Sequence, residues 1–143
     1  MRIDALELES VRNYSRAAVE FDPACNVIFG ENAQGKTNLL EALVYLSCGK
    51  SPRARTDREM IRFDDSCAAA SVLVSARDRE YRVRAELYRD RRRKLSVNQA
   101  PVKRGADLSQ IYNTVFFCPD DLYLIREGAA ARRRFLDTAL CQL

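Results

Sequence analysis

The sequence contains no histidine and no tryptophan, and it has only five glycines and four prolines among its 143 residues. Without histidine, the chain cannot by itself assemble a Ser-His-Asp or Cys-His nucleophile. Its five cysteines are scattered and form no C-x-x-C pair. This spacing predicts reduced thiols and argues against a zinc site.

Long hydrophobic runs are also missing. No apolar run approaches the roughly 18 residues that a membrane-spanning helix needs. The first residues, Met1 to Asp4, lack the apolar core of an export signal. We therefore expect a cytoplasmic protein that makes no membrane contact. With 47% apolar residues, the chain has the length and composition of one domain.

Positive charge is abundant and comes mostly from arginine. The formal net charge is +4, and 20 of the 24 basic residues are arginines. Guanidinium groups suit phosphates and carboxylates, so a polyanionic partner such as DNA is one interpretation. A solvated surface and a contact between subunits are the alternatives, because acidic residues are interleaved with the basic ones. The arginines cluster at 53–62, 77–93 and 132–134.

A glycine-rich motif occupies Gly30–Thr37, which matches G-x-x-x-x-G-K-[ST] without a mismatch. The apolar run Asn26–Phe29 before it predicts a strand, and Asn38–Cys48 after it predicts an amphipathic helix. The predicted apolar side of that helix contains Leu39, Leu40, Leu43, Val44 and Leu46. Strand, loop and helix is the order that a phosphate-binding P-loop requires. A glycine turn capped by a helix, without a ligand, is the alternative.

The chemistry of the motif predicts ATP binding with Mg²⁺. Gly30 and Gly35 lack a Cβ, so the backbone can turn tightly and approach a ligand. Backbone N–H groups and the helix N-terminus attract phosphate. Lys36 is predicted to reach the β- and γ-phosphates, and the Thr37 hydroxyl to coordinate the metal. The candidate ligands are Gly30, Glu31, Asn32, Ala33, Gln34, Gly35, Lys36 and Thr37.

The remaining sequence predicts a sheet. Alternation of apolar and polar residues is clearest in 80–88, where Tyr81, Val83, Ala85 and Leu87 share one face. We predict strands at 2–9, 17–21, 71–76, 80–88, 94–97 and 114–118, short helices at 59–62 and 107–112, a tight turn at Asn98-Gln99, and a final helix from about Ala130. The predicted fold class is α/β, a P-loop NTPase with its helix on a mixed sheet and an antiparallel β subdomain at about 66–104.

Several segments beyond the P-loop resemble one bacterial family. They are Leu8–Tyr14 (LESVRNY), Asn26–Ala42 (NVIFGENAQGKTNLLEA), Pro101–Arg104 and Val115–Leu136. Together they resemble RecF, a DNA replication and repair family with an SMC-like, ABC-type ATPase head. The resemblance covers essentially the whole chain in register. Small departures are Val11, where the family usually has phenylalanine, and Gln99, where it often has glycine.

The resemblance implies a function. RecF-like heads bind ATP with Mg²⁺, form ATP-dependent homodimers, and bind single-stranded, gapped or junction DNA alongside recombination mediator proteins. They act in recombinational repair and the SOS response. The resemblance also implies that Arg12 contacts the nucleotide phosphates; a surface arginine at a strand end is the alternative.

The resemblance further implies that residues 1–143 are the N-terminal lobe of such a head. In the family, the signature motif, the Walker B strand and the helical arm come after the point where this chain ends. Hydrolysis in the family combines the P-loop of one head with the signature motif of another. We therefore expect this chain to bind ATP and to hydrolyse little or none.

Two interpretations stay open at the sequence level. Residues 115–118, followed by Asp120 and Asp121, imitate a Walker B strand. The family, however, places this segment near the loop that senses the γ-phosphate, and a plain strand end with a capping acid is a third possibility. The chain as a whole could also belong to another SMC-like ATPase, or be a nucleotide-responsive module whose arginine-rich hairpin grips nucleic acid without hydrolysis.

Overall fold

The computed structural model describes residues 1–118 together with Ala129 and Arg133. Its strands are β1 (Arg2–Val11), β2 (Tyr14–Glu20), β3 (Cys67–Ala76), β4 (Arg79–Tyr88), β5 (Lys94–Val97) and β6 (Ala100–Val102). They form one six-stranded sheet in the order β2-β1-β3-β4-β5-β6, in which each neighbouring pair is antiparallel. One α-helix, α1 (Lys36–Cys48), and two short 3₁₀ helices (Asp57–Met60 and Gly105–Gln110) complete the described elements.

The core lies on one face of the sheet, because side chains alternate between the two faces of every strand. Leu6 of β1 lies opposite Val72 of β3, which lies opposite Val83 of β4. A second row, two residues along, contains Leu8, Ala70, Ala85 and Leu95. Both rows are buried and belong to one apolar cluster with the inner side of α1. The strand alternation predicted for β4 is therefore confirmed.

Tight turns fix the register of the hairpins. Asn98 and Gln99 join β5 to β6 with φ of 48° and 70°, which confirms the predicted turn. Arg77 and Asp78 join β3 to β4 in the same way, with φ of 52° and 59°. Two central residues with positive φ are the mark of a type I′ turn, whose twist matches that of the flanking strands.

Two predicted strands are not strands in the structure. Asn26–Phe29, ahead of the P-loop, pairs with no described strand, and Val27 and Phe29 are 78% and 88% exposed. Residues 114–118 also form no strand in the described part of the chain, and Val115 and Phe117 are exposed. Both segments have the apolar, β-prone composition of a strand. A strand, however, also needs a neighbour to accept its hydrogen bonds.

Helix α1 is buried on more sides than its apolar pattern predicted. Leu40, predicted to be on the apolar side, is 39% exposed, whereas Glu41 is wholly buried. The reason is contact on two further sides of the helix. Arg12 and Ser51 hydrogen-bond to Glu41 on one side, and the segment after the 3₁₀ helix at 105–110 packs against another. There the Tyr112 hydroxyl donates to the Leu43 carbonyl at 2.7 Å, and the Thr114 and Ser47 hydroxyls lie 2.7 Å apart. The helix is thus packed between the sheet and this segment.

Both ends of α1 are bounded by a glycine with positive φ. Gly35, at the start, has φ of +105°, and a Cβ there would lie 2.6 Å from Oδ1 of Asn13. Gly49, at the end, has φ of +68°, and a Cβ there would lie 2.6 Å from the Cα of Gly105. At each end, another part of the chain occupies the space that a side chain would need.

Some predictions fall on residues that the structure does not describe. They include Asp120, Asp121 and most of the final helix predicted from about Ala130. Of that region only Ala129 and Arg133 are described, and both are helical. Within the described residues, no helix is both long enough and apolar enough to cross a membrane.

Candidate phosphate-binding site

The glycine-rich motif forms a loop that runs directly into α1, which begins at Lys36. Gly30, Ala33 and Gly35 all have positive φ, at 143°, 65° and 105°, so the backbone turns sharply within a few residues. Among the described residues, no side chain caps the start of α1, and the first turn of the helix contains no acidic residue. The free N–H groups and the positive end of the helix dipole therefore remain available to an anion.

Lys36 lies across this loop. Its Nζ donates to the carbonyl oxygens of Gly30 at 2.7 Å and Glu31 at 2.6 Å. Both partners are neutral carbonyls, so these contacts leave the ammonium charge uncompensated. Thr37, the predicted Mg²⁺ ligand, follows in the first turn of α1 and is exposed. The structure thus brings the two residues predicted to hold phosphate and metal to one accessible place.

These residues fit a nucleoside triphosphate with Mg²⁺. The uncapped helix start and the uncompensated Lys36 ammonium suit the phosphates. The described residues contain no cluster of three or more histidine, cysteine, aspartate or glutamate side chains that could hold a metal. A Mg²⁺ ion bound through one hydroxyl, the phosphates and water needs no such cluster.

Arg12, the ninth predicted site residue, is held by a buried carboxylate. Its Nε and Nη2 donate to the two Glu41 carboxylate oxygens at 3.0 and 2.7 Å, and its Nη1 donates to the Glu59 carbonyl at 2.7 Å. The bidentate pair fixes the guanidinium in one orientation. Arg12 therefore joins β1 to α1 and to the 3₁₀ helix at 57–60.

Glu41 collects further partners beside the start of α1. The Ser51 hydroxyl donates to it, and Arg53 Nη1 lies 3.6 Å from Oε2. Burial alone would raise the pKa of Glu41, but the hydrogen bonds and positive charges around it hold its pKa below the ordinary value. The sequence analysis missed this residue. The available signal was an acid between apolar neighbours in a helix.

Sequence reasoning also missed two residues that contact the P-loop directly. Asn13 Nδ2 donates to the Gln34 carbonyl at 3.1 Å, and the Tyr14 hydroxyl donates to the Gly35 carbonyl at 3.2 Å. Asn13 lies in the turn that joins β1 to β2, and Tyr14 is the first residue of β2. This turn therefore packs against the last part of the P-loop, although about twenty residues separate the two in the sequence.

The arginine-rich middle of the chain is largely occupied with internal contacts. Ion pairs join Arg82 to Glu7, Arg84 to Glu86 and Arg93 to Asp57. Arg89 donates to the carbonyls of Arg62 and Asp65, and Arg91 stacks 3.8 Å from the centre of the Tyr88 ring. These contacts favour a structural role for many of the arginines and weigh against a hairpin dedicated to nucleic acid.

A cavity of about 320 Å³ lies at the other end of α1, where Gly49, Asp57 and Arg93 contribute to its lining. The thirteen residues of α1 separate it from the P-loop. At 1.5 Å per residue, this is roughly 20 Å. No residue of the loop Gly30–Thr37 lines this cavity.

Comparison with known proteins locates the site in a family. The family model described as AAA domain matches residues 5–127. The DNA replication and repair protein RecF of Agathobacter rectalis is 42% identical over 143 residues, which are 100% of this chain and 40% of that protein. The chain thus spans two fifths of the length of that curated relative.

Solved structures agree with the sequence relatives. A structure of the recombination mediator protein RecF-ATP in the RecFOR pathway is 32% identical with a TM-score of 0.89, covering 96% of this chain and 38% of that one. An SMC ATPase structure is 22% identical with a TM-score of 0.74, covering 96% of this chain and 98% of that one, and shares the fold. The resemblance to RecF and the predicted P-loop ATPase fold class are confirmed.

Proposed function

The chain belongs to the AAA domain family, and on that premise we propose that it is the ATP-binding N-terminal lobe of a RecF-type ATPase head. The observation that carries the proposal is the loop Gly30–Thr37 at the uncapped start of α1, with Lys36 held over it by neutral carbonyls. The relative whose structure is RecF-ATP supports ATP as the nucleotide.

In this proposal the residues of the loop divide the work. Lys36 exchanges its contacts with the Gly30 and Glu31 carbonyls for contacts with the β- and γ-phosphates. Thr37 supplies a hydroxyl oxygen to Mg²⁺, a hard ligand for a hard cation. Arg12 supports the site through Glu41, and one of its remaining N–H groups contacts phosphate. Mg²⁺ supplies charge neutralisation of the phosphates when it is bound.

The rest of a RecF-type protein completes the head in our proposal. Two segments outside the sheet, 26–29 and 114–118, expose large apolar side chains, namely Val27, Phe29, Val115 and Phe117. About three fifths of the length of the Agathobacter rectalis relative lies outside the part that this chain matches. We propose that this additional part packs against the two exposed segments. It would also contain the signature motif and the Walker B carboxylate. The chain alone then binds ATP and turns over little or none.

The wider activity proposed is that of the RecF type. The complete protein forms an ATP-dependent homodimer in the cytoplasm and binds single-stranded, gapped or junction DNA with recombination mediator proteins. It acts in recombinational repair and the SOS response. The names of the sequence relatives, which are DNA replication and repair proteins, support this proposal. Arginines without an ion pair in the described residues, such as Arg58 and Arg92, are the candidates for contact with DNA phosphates.

Binding of a labelled ATP analogue in the presence of Mg²⁺ tests the proposal. The wild-type chain should bind, and Lys36→Ala should lose at least about tenfold in affinity, because a charged contact to phosphate is worth about 1.5–3 kcal/mol. Arg79→Ala is the matched control, since it removes one exposed positive charge at the end of the sheet opposite the β1–β2 turn that contacts the loop. Binding by the Lys36→Ala variant with wild-type affinity would overturn the proposed site.

A further inference from the structure

We propose that Asn13 is a positioning residue of the phosphate site, which fixes the Gln34–Gly35 peptide so that the Gly35 N–H faces the bound phosphate. The inference deepens the proposed function and rests on it. It gives a role to the β1–β2 turn, which contacts the P-loop but lies outside the P-loop sequence motif.

The argument begins with the planarity of the peptide group. The C=O of Gln34 and the N–H of Gly35 belong to one trans peptide, so they point in opposite directions. Asn13 Nδ2 donates to that carbonyl at 3.1 Å. The Gly35 N–H consequently points away from Asn13, and it has no backbone acceptor within the described residues. An N–H aimed outward at the start of a helix is a donor suited to phosphate.

Asn13 is itself held in one orientation. Asn38, in the first turn of α1, donates from Nδ2 to the Asn13 Oδ1 at 2.9 Å. Arg53 Nη1 donates in turn to the Asn38 Oδ1 at 3.0 Å. This chain of contacts requires the Asn13 carbonyl oxygen to face Asn38 and its amide nitrogen to face Gln34. Only a side chain with both a donor and an acceptor can make both contacts.

Gly35 makes room for this arrangement. A Cβ on Gly35 would lie 2.6 to 3.0 Å from three atoms of the Asn13 side chain. Two structural features therefore require a glycine at position 35, its φ of +105° and the space that Asn13 occupies. The Tyr14 hydroxyl adds a contact to the next carbonyl, that of Gly35, at 3.2 Å. Two consecutive peptides of the loop are thus fixed by two consecutive residues, one in the β1–β2 turn and one at the start of β2.

The test compares binding of the labelled ATP analogue by wild type, Asn13→Ala and Asn13→Asp. Asn13→Ala should weaken binding on the order of tenfold, the equivalent of one hydrogen bond. Asn13→Asp keeps the shape and the acceptor for Asn38 but lacks the donor, so it should weaken binding at least as much. Ser15→Ala, an exposed neighbour in β2, is the control and should bind as wild type does.

A spectroscopic readout separates positioning from general stability. In the wild-type protein, addition of the analogue should shift the Gly35 amide proton downfield as it donates to phosphate. In both Asn13 variants that shift should be smaller, while their urea unfolding shows a folded chain. Wild-type affinity and an unchanged Gly35 shift in both variants would overturn the inference and leave the proposed function standing. Failure of the wild-type chain to bind would overturn both.

Discussion

The strands of the sheet and the segments 26–29 and 114–118, which form no strand, have the same kind of sequence but opposite environments. Val72 in β3 has no exposed surface, whereas Val27 ahead of the P-loop is 78% exposed and Val115 is 99% exposed. All three valines come from runs that predict strands. Val72 has Leu6 and Val83 as cross-strand neighbours. The difference shows that β-propensity describes how well a residue fits a sheet, whereas hydrogen bonding to a neighbouring strand decides whether a strand forms.

The largest expected effect tests that comparison directly. Leu6→Ala should lower the free energy of unfolding by about 3 kcal/mol, because it leaves a cavity in the row that joins β1, β3 and β4. Phe29→Ala should change it by less than about 0.5 kcal/mol, because an 88% exposed ring loses few contacts. Urea unfolding of both variants beside wild type measures the difference. Equal losses would show that Phe29 is buried in solution and would break the comparison.

A smaller effect is expected at the one buried carboxylate of α1. Glu41→Gln should lower the free energy of unfolding by about 2–3 kcal/mol near neutral pH, because Arg12 and Arg53 lose their counter-charge. Since Arg12 and Arg53 keep partial contact with solvent, the loss should lie below that of a fully buried pair. Such a result would show that the packed part of the molecule depends on polar as well as apolar partners.

The pH dependence follows from the direction of the pKa shift. The pKa of Glu41 is lower in the folded protein than its ordinary value of 4.5. Its contribution to stability is therefore present above pH 4.5 and is lost as the pH falls through the folded pKa. The difference between wild type and Glu41→Gln should shrink on acidification. A difference between wild type and Glu41→Gln that is independent of pH would contradict the assignment.

A still smaller loss of stability is expected where the segment after the 3₁₀ helix at 105–110 contacts α1. Tyr112→Phe should lower the free energy of unfolding by about 1 kcal/mol, because it removes the buried hydrogen bond to the Leu43 carbonyl. Tyr81→Phe is the matched control, since no described contact holds its hydroxyl. Thermal unfolding of the two variants measures the difference. A loss as large for Tyr81→Phe would mean that the hydroxyl of Tyr112 does not anchor this segment to α1.

The sequence predicted those features that are encoded locally. The period of two in β4 and the turn at Asn98-Gln99 depend on neighbouring residues, and both are confirmed. The same holds for the start of α1 next to the glycine loop. Burial of Glu41 and the contact of Asn13 with Gln34 join residues far apart in the chain. No local pattern contains such contacts, which is why Glu41 and Asn13 were not among the predicted residues.

The two glycines that bound α1 also have an evolutionary consequence. Gly35 faces Asn13 and Gly49 faces Gly105 at distances that leave no room for a methyl group. A substitution at either glycine is therefore not a local event, because the opposing segment must move or change with it. Among descendants of this sequence, positions 35 and 13 should covary, and so should positions 49 and 105. Evolutionary change at either end of α1 is therefore constrained by the segment that packs against that end.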